Sequence, residues 1–143
     1  DEVHPAPPLL PSDPLGKAKV RAIAGLIACD IHPLNNLAVL NYLRDQLTAK
    51  EEARLAWYRH WVKEGFDGLE LILRANVETG QFCFGDSPTV ADICLVPQVV
   101  NAKRFNCDLA SYPTIIRIFE ECMGLSQFAD ADPMKQPEAA ELA

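Results

Sequence analysis

Ile31-His32-Pro33-Leu34-Asn35-Asn36-Leu37 lies inside a long apolar-periodic run and decides how that run is read. At about 100° per residue, Ile27, Ile31, Leu34, Leu37 and Ala38 share one helical face, while His32, Asn35 and Asn36 gather on the other. Proline inside a helix removes a backbone hydrogen bond and clashes with the preceding turn, at a cost of ~3 kcal/mol. Taken singly, each polar residue reads as solvated surface. Three of them converging beside a proline kink read as a patch that faces a ligand. Val20, Ile23 and Ala24 extend the apolar side backwards and Leu40 extends it forwards, which predicts one long helix over residues 14–46, kinked at Pro33.

That helix has a clear start, with Asp13 as N-cap and Pro14 at the first helical position. Residues 1–13 carry four prolines before Pro14, too many for helix or central strand, and read as an extended interdomain linker whose Leu9 and Leu10 lie against something apolar. The first residue is Asp1 rather than methionine, with no charged-then-apolar leader behind it, so processing or truncation is expected to have removed what came before. A second helix is predicted over residues 49–78, with Tyr58, Val62, Phe66, Leu69, Leu73 and Val77 inward. Trp57 and Trp61, near Arg59, could form a base-stacking platform, but at this spacing and in an acidic chain they read as core. Gly65 and Gly68 lower helix propensity by ~1 kcal/mol each relative to alanine, which points to close helix approach at both.

Gly80 ends that helix, and residues 81–86 read as a buried loop. Thr89-Val90-Ala91-Asp92 is a capping box, a folding signal rather than a chemical one. The third helix, over residues 89–106, is apolar nearly all round and belongs in the centre of a bundle; Lys103 and Arg104 suit its negative end. A fourth helix runs from Pro113 to about Met123, a further turn covers about 125–129, and residues 131–143 read as an extended, partly disordered tail. With no strands to pair, the fold class is all-α, its helical domain spanning residues 14–130.

At 143 residues this is one domain, and 49% hydrophobic with 23% charged residues is ordinary for a soluble protein. A net charge of −7 argues against nucleic-acid or anionic-membrane partners. No apolar run approaches the ~20 residues that span a bilayer. The five cysteines are odd in number and never arranged as C-x-x-C, and the histidines His4, His32 and His60 supply no paired ligands, so no metal site is expected. The five cysteines read as thiols in a reducing compartment.

Several stretches now coincide: the Leu9-Leu10-Pro11-Ser12-Asp13-Pro14 linker, the His32-Pro33-Leu34-Asn35-Asn36-Leu37 turn and the capping box. Leu95-Val96-Pro97-Gln98 through Phe105 and Ser111-Tyr112-Pro113-Thr114-Ile115 complete the set. Together they resemble the C-terminal helical domain of zeta-class glutathione transferases, the maleylacetoacetate and maleylpyruvate isomerases. The capping box marks the wider transferase superfamily, whereas the His-Pro-Leu-Asn-Asn-Leu and Leu-Val-Pro-Gln runs carry the class.

The resemblance implies a glutathione-transferase C-terminal-like bundle lacking its N-terminal thioredoxin-like domain, and with it the Ser-Ser-Cys catalytic motif. No catalytic residue is then expected within this stretch, which alone should be inactive. The implied reaction is glutathione-dependent cis–trans isomerisation of a dicarboxylic diketo acid in aromatic catabolism. Positions matching His32, Asn36, Leu37 and Ala38 would touch or line the glutathione site, and Arg104 would face a substrate carboxylate, a role its planar fork suits. Many bacterial relatives carry an arginine where Ala38 stands, so one cation of a two-arginine substrate clamp is replaced here by a methyl group. The resemblance further implies a cytoplasmic homodimer. The rival reading is a transferase-like helical module that binds proteins without catalysis; a bundle with no site comes third, because it has no need of the proline turn.

Overall fold

Asp13 starts the first helix as its side chain accepts from the Gly16 N–H at 2.7 Å, with Pro14 at the first helical position. The computed structural model describes residue 3, residues 5–137 and residue 139. Among these, all regular structure is helical: α1 Pro14–Gly25, a π-helical turn Leu26–Ile31, α2 His32–Asn35, α3 Leu37–Asp45, α4 Glu51–Ala75, α5 Val90–Arg104, α6 Pro113–Met123 and α7 Ser126–Asp130. The all-α class holds. Pro133–Lys135 adds a 3₁₀ turn where an extended tail was expected, because Asp132 caps it through the Met134 N–H; residues 138 and 140–143 of that tail lie outside the described residues.

The run expected as one helix kinked at Pro33 is instead broken twice. The ring of Pro33 would meet the Cys29 carbonyl four residues back in a regular helix. The chain avoids this by widening Leu26–Ile31 to π spacing, closed by the His32 N–H on the Ile27 carbonyl. The second break is at Asn36, whose backbone is extended (φ −72°, ψ 163°). Its Oδ1 accepts from the Val39 N–H and its Nδ2 donates to the Pro33 carbonyl, both at 3.1 Å, so one side chain ends α2 and caps α3.

By length and composition the helical stretch Pro14–Asp45, breaks included, is apolar enough to cross a membrane, its most apolar window having a mean hydropathy of 1.4, contrary to the expectation that no run comes close. In this fold Val20, Ile23, Ile27 and Ile31 bury that face in the core.

Helix α5 packs between α1 and α6, and α4 lies along the π turn, α2, α3 and α6. Leu95, Val99 and Ala102 are fully buried, but Ile93 and Val100 are exposed, so one face of the central helix, at Ile93, Pro97 and Val100, stays open. Its start is more heavily tied than a capping box alone requires. The wholly buried Asp92 carboxylate accepts from the Thr89 N–H and the Cys83 N–H at 2.8 Å, and from the Thr89 hydroxyl at 2.9 Å. The linker joins here too, the Leu9 carbonyl accepting from the Val90 N–H at 3.0 Å. The loop at 81–86 is buried at Phe82 and Cys83, and Arg117 holds it by donating to the carbonyls of Gly80 and Gln81.

Helix α4 buries Tyr58, Val62, Phe66, Leu69 and Leu73, while Val77 falls beyond its end and is exposed. No local pattern marks Glu70. Its buried carboxylate accepts from the N–H groups of Thr114 and Ile115 at 3.0 Å each, capping α6 from a neighbouring helix. Of the two glycines on α4, Gly65 is a true close approach: a Cβ there would lie 2.2 Å from Ile31 Cγ1, whereas nothing stands within 4 Å of one at Gly68. Gly65→Ala is expected to lower stability by ~1–2 kcal/mol through overpacking, and Gly68→Ala to raise it by ~0.5–1 kcal/mol through propensity. Urea unfolding of the pair checks this; shifts of the same sign would contradict it.

Burial pushes Tyr58 and Cys122 up to about 12, and pushes Cys83 higher still, with the Asp92 charge adding to both thiols. In the unfolded chain these groups ionise near their ordinary values, 9.0 for a thiol and 10.0 for a phenol. The folded state thus holds protons that the unfolded state releases. Stability is complete below the unfolded values and falls as pH rises toward the folded ones. The urea midpoint should therefore drop between about pH 7.5 and about pH 10.5; a constant midpoint would contradict the burial of these groups.

Candidate functional site

Two neighbouring residues of α4 hold the two segments that the sequence singled out. Trp57 donates its indole N–H to the Leu34 carbonyl at 2.8 Å, fixing α2. Tyr58 stacks on Phe105, ring centroids 3.9 Å apart, fixing the end of α5. Arg104 precedes Phe105, and its positive charge acts on the Tyr58 hydroxyl against the effect of burial. The turn at residues 32–38 and the end of α5 are thus anchored on one turn of a single helix. Trp57 and Trp61 meet edge to face at 5.7 Å; Trp57 packs on the core as expected, whereas Trp61, also read as core, is half-buried and not among the residues packed on it.

His32 is exposed, and its ring makes no hydrogen bond among the described residues. Asn35, expected on the same polar patch, is buried, and neither its carbonyl nor its amide has a partner there. The π turn over Leu26–Ile31 precedes it, so α2 no longer keeps the face drawn for one continuous α-helix. The break at Asn36 carries Leu37 and Ala38 off the apolar face; Leu37 is 71% exposed.

At the start of α3, Asn36 takes the N–H of Val39 through its side chain and that of Leu40 through its carbonyl. The N–H groups of Leu37 and Ala38 have no acceptor among the described residues. Free donors at a helix start carry its positive end and suit an anion. Arg104 is exposed at the far end of α5 and forms no ion pair among the described residues, whereas its neighbour Lys103 lies over the Phe119 ring at 3.9 Å. A free imidazole and two helix-start N–H groups suit an anionic ligand, and an unpaired guanidinium suits a carboxylate. Among the described residues no group of three or more histidine, cysteine or acidic side chains could hold a metal.

Sequence reasoning missed the supporting residues. Trp57 and Tyr58 read as core, which they are, but their partners at Leu34 and Phe105 are tertiary and leave no local signal. Asn36 was legible as a cap, because asparagine ahead of an apolar run is among the preferred N-caps.

No protein-family model matches the chain. It is 45% identical to maleylpyruvate isomerase from a Ralstonia species over 98% of its own length. It spans 66% and 64% of the first two curated relatives it matches, and so falls just short of two thirds of either. The crystal structure of maleylpyruvate isomerase from Pseudomonas aeruginosa superposes with a TM-score of 0.93 at 44% identity, over 96% of this chain and 71% of that one. A crystal structure of maleylacetoacetate isomerase from Anaeromyxobacter dehalogenans with GSH bound in the active site superposes with a TM-score of 0.89 at 41% identity, over 96% of this chain and 62% of that one. The helical order, the anchored proline turn and these similarities agree, and the chain belongs to the zeta-class glutathione transferases, the family of maleylacetoacetate and maleylpyruvate isomerases.

Proposed function

We propose that the chain forms the helical wall of a glutathione-dependent isomerase that turns the cis double bond of maleylacetoacetate or maleylpyruvate to trans. Bound glutathione supplies a thiol that adds to the double bond, allows rotation about the resulting single bond and leaves again. The residues of this chain bind and orient. The His32 ring and the N–H groups of Leu37 and Ala38 receive the anionic peptide, and Asn36 fixes the turn that presents them. Arg104 takes a substrate carboxylate in its planar fork. The observation that carries this reading is an exposed arginine without a carboxylate partner, anchored on the same turn of α4 as the proline segment.

In this reading a thioredoxin-like domain ahead of the linker supplies the groups that activate the thiol, and two such subunits form a homodimer. The protein works in the cytoplasm, a reducing compartment in which its five free thiols persist. Calorimetric titration of the full-length protein with glutathione tests the binding half. His32→Ala should weaken glutathione by roughly 5–10-fold, about the loss of one hydrogen bond, and an unchanged affinity would remove His32 from the site.

A further inference from the structure

Beside Phe105 lies a cavity of about 100 Å³, walled by Leu40 of α3, by Glu51, Arg54 and Leu55 of α4, and by Phe105 itself. It lies where the start of α4 meets α3 and the residue that follows α5. Arg54 lines it, its Nε is buried against the protein without an acceptor, and Arg54 forms no ion pair among the described residues. A buried donor left without a partner costs ~1–3 kcal/mol, and more when it is charged, so such a group calls for an explanation.

Two carboxylates face Arg54, and neither is its partner. Asp45 feels its charge but is held by Arg44, Nε to Oδ1 at 2.6 Å. Glu51 lines the same cavity but sits exposed in the first turn of α4, where the positive helix end already favours it.

Arg54 stands one helical turn before Tyr58, whose ring stacks on Phe105. Arg104 lies directly before Phe105 in the chain. Two arginines without carboxylate partners therefore flank one aromatic stack, Arg104 on the open side and Arg54 at the cavity. The space is about that of three waters, enough for a carboxylate group and little more. We propose that Arg54 is a second carboxylate-binding residue of this site, holding one end of a dicarboxylic substrate while Arg104 holds the other. This rests on the isomerase reading and adds to it a length and charge requirement: a diacid that spans the two guanidinium groups is favoured over its monoester.

The test follows the arginine Nε–H signals by NMR in the full-length protein saturated with S-methylglutathione, which has no free thiol to add to the probe. Maleate is titrated in, with Arg54→Lys and Arg104→Lys used to assign the two signals. The expected result is that both shift with the same saturation curve, and that Arg54→Lys weakens maleate roughly tenfold while leaving monomethyl maleate unchanged. If the Arg104 signal shifts and that of Arg54 does not, this proposal is overturned and the isomerase reading stands. If neither shifts, the carboxylate site itself falls and the proposal with it. The wild-type signals decide even where a lysine variant is destabilised.

Discussion

Asp92→Ala is expected to destabilise the fold by about 3–5 kcal/mol, well beyond the ~1 kcal/mol of an ordinary cap. The carboxylate is wholly buried and accepts three hydrogen bonds, from the Thr89 N–H, the Thr89 hydroxyl and the Cys83 N–H. Alanine leaves all three donors in the core without a partner and removes the tie between the 81–86 loop and the start of α5. Asp92→Asn keeps one acceptor oxygen and should fall between the two. Urea unfolding measures both; a loss near ~1 kcal/mol for alanine would mean that the contact with Cys83 contributes nothing.

That residue also marks how far the sequence could be read. Thr89 and Asp92 are three apart, so their mutual bonds are local and announce themselves in the pattern. Cys83 is joined to Asp92 by a loop whose path no spacing dictates. The same division runs through the chain. Asp13 and the apolar faces of α1, α4 and α6 were legible because helical period and caps are local properties. Glu70 was not, since a charged residue among inward-facing apolar positions gives no sign of the helix it caps.

At the candidate site the division is sharper. Pro33 drew attention to the right segment but suggested the wrong geometry, a single kink in place of a π turn and a capped restart at Asn36. Asn35 falls on the polar patch only if one continuous α-helix is assumed; beyond the π turn it is buried. Arg54 stands at helical spacing before Tyr58 and Val62, yet only the tertiary arrangement reveals that its Nε has no partner.

Arg104→Ala is the variant expected to affect activity most. Removing a charge-assisted fork from a carboxylate costs about 1.5–3 kcal/mol, which raises KM for the maleyl substrate roughly 10–100-fold. Glutathione should be affected far less, because the groups proposed to bind it lie at residues 32–38. Stability should change little, since Arg104 is exposed and unpaired among the described residues. Steady-state kinetics with each substrate varied in turn measure this. Equal effects on the two KM values would deny Arg104 a specific role, and unchanged kinetics would remove it from the site.

This helical domain is proposed to serve a glutathione-dependent isomerisation rather than a binding role without chemistry. Proton NMR of the full-length protein with maleylpyruvate or maleylacetoacetate tests it most directly, because cis and trans vinyl protons differ in their coupling. Conversion of the cis signals to trans is expected with glutathione present, and none beyond the uncatalysed rate without it. A cis substrate that persists in the presence of glutathione, or that converts equally well in its absence, would contradict it.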